Sequence, residues 1–475
     1  GITVLGAWYY RRVSGMDDFF MGGRRFGKVF MALFAFGSGT SSEQAVSVVS
    51  GSFRAGLAGI WYQFLYLWAT PFYWIIAPVF RRMRALTTSD FFQARFDTST
   101  ATLYSMVGIV NSMVIIAGAL FGSGRMIEGL AGGINPATGE PFFPQHYAII
   151  GMTVMFVIYG MAGGLGAAII TDFIQGILTI IFSFLLLPFA LSYAATVVGA
   201  DSGFAALHTG SELRPNMLSF TLDAELAKTL GQEPITIFYI FMISLSGLVG
   251  IVVQPHIMGV CGAGKTEFEG RFGFTFGNFM KRFCTIAWTF IGLACIMIYL
   301  TPGNEFLTPE RYAEITSNMG AQKEFADQVF GRAARDILPN IMPGLVGLLF
   351  AAMLAAIMST CDAQMVVSSG LFTENIYKKF IKPDGSPKHY LWVGRIAGLV
   401  IVIGALLLMT QFQDIIQMLM TYVQAIPAFM GMTFWFGICW RRYNAKGVWA
   451  STLVTAFMWY LTQTHTPVAW IASMG

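Results

Sequence analysis

Apolar windows of about 20 residues, long enough to cross a bilayer as a helix, recur along the whole chain and alternate with short clusters of Arg and Lys. Twelve windows can be drawn: a stub at 1–10, then 29–51, 57–80, 101–122, 147–161, 163–194, 234–258, 279–301, 342–376, 391–410, 414–438 and 447–463. The basic clusters at Arg11-Arg12, Arg24-Arg25, Arg81-Arg82, Lys378-Lys379 and Arg441-Arg442 fall at every second turn, which assigns those turns to the cytoplasm. The long polar segments 197–233 and 303–340 then face outward, and the apolar spacing in the second predicts one or two surface helices. Without the first and last windows ten remain. Two sets of five separated by an odd number of crossings start with opposite orientations, the condition for an inverted repeat. The expected organisation is therefore an all-α polytopic membrane protein with a single transmembrane transporter domain over 1–475. Its parts are an extra N-terminal helix and cytoplasmic loop (1–28), five-helix repeats at 29–194 and 234–438, and an extra C-terminal helix (439–475).

One window breaks the pattern. Leu33 to Ser50 begins and ends apolar, yet its centre, Gly37–Gln44, reads GSGTSSEQ. Glycines make helical continuation costly, and lipid has no water for the freed carbonyls, so such a break persists only where it lines a cavity or binds something. A broken apolar helix with a polar centre points to a transporter's binding site. The alternative is that Gly37, Gly39 and Ser41 only permit close helix packing. A second polar interruption is expected at Ser359–Asp362, where Ser359 and Thr360 follow Ala356 by one helical turn, so that two hydroxyls and a carbonyl face one point. Hard monovalent cations want such oxygens. Asp172 and Asp362 add carboxylates to apolar windows, which is expensive unless a cation or hydrogen bonds compensate them.

Composition narrows the class. With 55% hydrophobic and 11% charged residues and a mean hydropathy of +0.63, a soluble protein of this length is excluded. The net charge of +4 is carried by orientation-setting clusters, so no nucleic-acid partner is expected. Five cysteines imply no disulfide framework. His146, His208, His256, His389 and His465 are scattered, without a zinc-site or hydrolase motif, so an enzyme is not expected. Residues 259–266 match G-x-x-x-x-G-K-[ST], but a phosphate loop needs a strand before it and a helix after it, and membrane windows flank this one. The apolar start at Gly1 leads to the expectation of a preceding segment, while the short tail after 463 offers no signalling output domain.

YGMAGGLGAAIITDFIQ (159–175), QPHIM (254–258), AAIMSTCDAQMVVSSGLFTENIYKK (355–379) and FWFGICWRRYNAKG (434–447) together resemble the sodium/solute symporters over nearly the whole chain. The resemblance implies the leucine-transporter fold, alternating access in the cytoplasmic membrane and Na+ as the coupling ion. It implies a sodium site built from carbonyls of Gly37, Thr40 and Ala356 and hydroxyls of Ser359 and Thr360, with Asp172 close by. Asp362 matches an aspartate of the proline- and pantothenate-type branch. Glu43 and Gln44 match an acid and amide bordering the sugar in the bacterial galactose member, and Gln63 falls where that member has a glutamate. Leu419, Thr421 and Val249 depart from it.

The expected activity is sodium-coupled symport of a small polar solute, favouring the outward-open state when sodium binds. Glu43, Gln44, Gln63 and Tyr66 are the expected solute contacts, with Gln254 in the QPHIM break as a further site residue. A carboxylate buried without a cation favours a donor-rich ligand, so a sugar or polyol is expected ahead of an amino acid or carboxylate. Lys281 would reverse that preference if it reached the cavity, but it is expected to snorkel to the cytoplasmic end. A sensor domain of a signalling protein is the alternative from a different class.

Overall fold

The computed structural model describes residues 21–132, 142–210, 213–214 and 216–464; the stub at 1–10, Arg11-Arg12 and His465 lie outside them. The described chain is built of helices, with only isolated bridges at Phe26–Gly264 and Leu222–Ile235. Among the described residues six helices are long and apolar enough to cross a membrane, seven if a bent pair is counted as one span.

The first anomalous window is two helices, α1 (Lys28–Ser38) and α2 (Ser42–Ala55), joined by Gly39–Ser41. The 57–80 window is less regular than a single span. It runs through short turns to α3 (Tyr73–Met83), with Pro71 and Pro78 removing ladder donors. α4 (Thr98–Leu130) begins at an Asp97–Thr100 capping box, in which each residue's side chain takes the other's orphaned N–H. The stretch expected as two spans, 147–161 and 163–194, is helical without interruption from Gln145 to Leu185 (α5), followed by α6 (Leu187–Val198). Glycines at 160–166 weaken helix propensity but, unlike proline, leave the hydrogen-bond ladder intact.

The 234–258 window breaks instead. α7 (Ile237–Ile251) and α8 (His256–Gly262) meet at 67° across Val252–Pro255, where Pro255 lacks an N–H. α9 (Glu267–Leu300) follows, so the 259–266 sequence joins two helices and has no strand before it. The segment 303–340 holds α10 (Pro309–Ser317) and α11 (Met319–Ile337). α11 is not a surface helix: Phe325, Ala326, Val329, Phe330, Ala333 and Ala334 are fully buried. α12 (Leu345–Phe372) runs unbroken through Ser359–Asp362, correcting the interruption expected there. Polar side chains do not interrupt the backbone ladder of a helix, whereas the breaks fall at Gly39–Ser41 and before Pro255, which lacks an N–H. α13 (Pro387–Met409), α14 (Ile415–Met418), α15 (Ala425–Cys439) and α16 (Ala445–Thr464) complete the chain.

The basic turns gather at one end. Arg24 donates to the Arg84 and Ala85 carbonyls, Arg81 to the Lys265 carbonyl, and Arg95 to the carbonyls of Gly437, Trp440 and Arg441. This common end is the cytoplasmic one by the positive-inside rule. α9 lies close against both halves of the broken helix, because Gly273 and Gly277 face the Met31 and Ala32 carbonyls and Gly292 faces that of Val49.

At the opposite end, buried Arg54 of α2 pairs with Asp327 of α11 at 2.6 Å and with Asp414, the cap of α14, at 3.2 Å. Asp327 also accepts from Ser50 and from the Ile415 N–H. Removing one partner of a buried pair leaves an uncompensated charge, at about 3–5 kcal/mol. Asp327→Ala is therefore expected to lower the apparent melting temperature of the detergent-purified protein strongly, whereas Glu267→Gln at the exposed Arg82 pair leaves it nearly unchanged.

Candidate functional site

The site is organised by the carbonyls that the α1–α2 break sets free. The Thr40 N–H reaches the Gly37 carbonyl at 3.2 Å, and Gln44 N–H reaches that of Ser41 at 3.2 Å. The Gly37 carbonyl also accepts from Thr360 Oγ1 of α12 at 3.2 Å. The Gly39 carbonyl accepts from Lys281 Nζ of α9 at 2.6 Å and from Gln44 Nε2 at 3.1 Å.

Three elements meet at Gly37. A Cβ there would sit 2.6 Å from Ser359 Oγ of α12 and 3.5 Å from Asp172 Cγ of α5, so only glycine fits without a shift. Ser359 Oγ, Thr40 Oγ1 and both Asp172 carboxylate oxygens are buried without a hydrogen-bond partner. Ala356 is buried on α12 one turn before Thr360. Unpartnered buried oxygens of this kind carry a desolvation cost that a hard cation would remove. Asp362 packs with its Cβ against Gly160 of α5, and its carboxylate oxygens are likewise buried and unpartnered.

Beside this cluster opens a cavity between α1, α2, α9 and α12. Glu43, Gln44, Gln63, Tyr66 and Gln254 all line it, and Ser38, Gly39 and Thr360 connect it to the oxygen cluster. Glu43 accepts from Ser41 Oγ, and Tyr66 OH donates to Gln424 Oε1 at 2.7 Å. Of the residues expected to depart from the sugar member, Leu419 lines the cavity, while Thr421 and Val249 do not.

Sequence reasoning misplaced Lys281 and missed Arg282. Lys281 does not snorkel to an aqueous end; it is buried in the cavity wall on the Gly39 carbonyl. Arg282, beside it, donates from Nη1 to the Gln63 carbonyl at 2.6 Å, and its guanidinium carbon lies 5.5 Å from the Tyr66 ring centre. The usable signal was a Lys-Arg pair inside an otherwise apolar helix. His256 and Gln364 also enter the wall, joined at 3.1 Å, with Ser112 holding Gln364 Oε1.

The sequence model of the Sodium:solute symporter family matches residues 19–455. The chain belongs to that family. Its relatives include the sodium/proline symporter of Escherichia coli (26% identical, 96% of this chain and 84% of the relative). That of Haemophilus influenzae is 28% identical over 97% and 86%, and the sodium/glucose cotransporter of Vibrio parahaemolyticus 23% over 94% and 80%. Among solved structures, a Na+-coupled sialic acid symporter in a substrate-bound outward-open state shares the fold at a TM-score of 0.70 (19% identity, 94% of this chain and 85% of that one). MhsT in complex with L-phenylalanine does so at 0.54 (16% identity, 95% and 98%). The protein is thus a sodium-coupled symporter of the cell membrane and not an enzyme.

Gly37→Ala is expected to abolish most sodium-driven uptake in proteoliposomes while leaving expression intact, because the added Cβ displaces Ser359. Gly27→Ala, where nothing lies within 4 Å of the new Cβ, is the control that retains wild-type uptake.

Proposed function

We propose that the protein carries an amino acid of modest size into the cell together with sodium. The observation that carries this reading is the continuity between the oxygen cluster at Gly37 and a cavity holding both a carboxylate, Glu43, and cations, Lys281 and Arg282. A zwitterion presents both charges to such a wall, whereas a sugar leaves the cations unanswered. The preference for a sugar or polyol assumed a carboxylate without a buried cation nearby; Lys281 and Arg282 remove that assumption. Several relatives are named for proline, which points the same way.

In this reading sodium is held by the carbonyls of Gly37, Thr40 and Ala356 and the hydroxyls of Ser359 and Thr360. Asp172 supplies the compensating negative charge and Asp362 a further carboxylate nearby. The solute rests between Glu43, Gln44, Gln63, Tyr66 and Gln254. Thr360 touches both regions, through its bond to the Gly37 carbonyl and its place in the cavity wall. Sodium binding there favours the arrangement that also binds solute, and each ligand raises the affinity of the other by the same factor.

Uptake of labelled L-proline and of glucose into proteoliposomes under an imposed sodium gradient tests the substrate class. Sodium-dependent entry of the amino acid with glucose inert is the expected result; the reverse would refute it. Ser359→Ala and Thr360→Ala each remove one oxygen from the buried ion site, at about 1–3 kcal/mol, and are expected to raise the half-saturating sodium concentration roughly tenfold or more. An unchanged sodium curve in both variants moves the ion elsewhere. If Asp172 belongs to a second sodium site, Asp172→Asn lowers the measured sodium-to-solute ratio by one ion; an unaltered ratio confines it to charge compensation.

A further inference from the structure

The cavity wall carries more positive than negative charge. Among the described residues Glu43 is its only carboxylate, against Lys281 and Arg282 on consecutive positions of α9. The two cations diverge, because neighbouring residues on a helix point about 100° apart: Lys281 reaches the Gly39 carbonyl on one side and Arg282 the Gln63 carbonyl on the other. Neither makes an ion pair among the described residues. Two other buried arginines have their charge answered within the protein. Arg54 pairs with Asp327 and Asp414. Arg214 donates to the Phe53 and Arg54 carbonyls, at the negative end of the α2 dipole. Arg282 has one carbonyl, and its Nε–H is buried without a partner.

We propose that Arg282 is the anchor for a carboxylate on the transported solute, which makes the substrate class small organic acids, amino acids included. The guanidinium presents donors in a planar fork that matches a carboxylate, and a carboxylate arriving there neutralises the surplus charge of the wall. Lys281 is already committed to the broken helix; its charge adds to the field without being the direct contact. Gln44 Oε1 and Gln63 Oε1 are buried acceptors with no partner and take N–H donors from the same solute. Tyr66, within 5.5 Å of the Arg282 guanidinium, keeps the fork in position from the other face. A role for Arg282 only as a brace for the Gln63 carbonyl would need one donor and would not depend on what the solute carries.

The proposal rests on the cavity being the solute site, as argued under the proposed function. Its test is a binding panel on the full-length purified protein in saturating sodium: L-proline, its methyl ester, prolinamide, pyruvate and glucose, read by calorimetry. L-Proline is expected to bind about a hundredfold more tightly than its ester or amide, the loss that follows when a buried charge partner is removed. Arg282→Gln is expected to bring the acid down to the level of the ester, and Arg282→Lys to recover part of the difference. Ester or amide binding as tightly as the acid overturns the anchor while leaving amino-acid transport standing. Arg282-dependent binding of pyruvate with proline inert supports the anchor and instead removes the amino-acid reading. Glucose binding with the acids inert overturns both. Should Arg282→Gln not be recovered as folded protein, the acid-to-ester ratio of the wild-type chain decides alone.

Discussion

A helix that stops inside an apolar slab must have its freed carbonyls answered by the protein itself, because no water is present to answer them. In this chain that demand falls on Gly37 and Gly39. The answers come from Thr360 on α12, from Lys281 on α9 and from Gln44 on the far side of the same break. Those three bonds decide which helices surround α1 and α2, and so which side chains can form a site at all. The close approach of α9, through Gly273, Gly277 and Gly292, brings Lys281 to its carbonyl. α5 packs on the other side, with Phe173 beside Phe30 at 5.0 Å and Asp172 next to Gly37. The buried oxygen cluster and the cavity are adjacent because both draw on one stretch of irregular backbone.

Much of this was legible in the sequence. The first break was readable because Gly and hydroxyl residues interrupt an apolar run in which nothing else explains them. Asp172, Ser359 and Thr360 were readable because polar oxygens in apolar windows are costly, and they do converge on Gly37. Periodicity located the spans to within a few residues where helices are regular, as for 391–410 against Pro387–Met409. It failed where the ladder's state depends on geometry. Ser359–Asp362 looks like an interruption from polarity alone, but polar side chains leave the backbone ladder intact, so α12 continues. Val252–Pro255 reads as the end of a span, yet the chain bends and resumes as α8.

Charge at the site was the harder matter, since one-dimensional reading assigns a lysine near a predicted helix end to water. The helix containing Lys281 begins at Glu267, well before the expected 279. That earlier start moves Lys281 and Arg282 from a terminus to the middle of a helix, and with them the balance of charge in the cavity. A boundary error of about three turns thereby inverted the inferred preference for the solute. The polar residues of 303–340 likewise led to a surface helix being expected where α11 is buried, its Asp327 facing Arg54.

The position of Arg54 relates the two ends of the site. α2 carries Ser42, Glu43 and Gln44 at its beginning and Arg54 in its last turn, so any tilt that repositions Glu43 also moves the Arg54 guanidinium against Asp327 and Asp414. Buried ion pairs hold only narrow geometries, and α14 begins at Asp414 and leads directly to Leu419 and Gln424 in the cavity wall. The helix that carries Glu43 and Gln44 is therefore clamped at its outer end to α14 and α11, and at its inner end to α4 through the paired Ser42 and Ser123 hydroxyls. A ligand at the break acts on a rigid rod fixed at both ends by polar contacts with few alternatives. Such contacts exchange between discrete arrangements and do not deform smoothly, which is the property that lets binding of an ion and a solute select one arrangement of the surrounding helices.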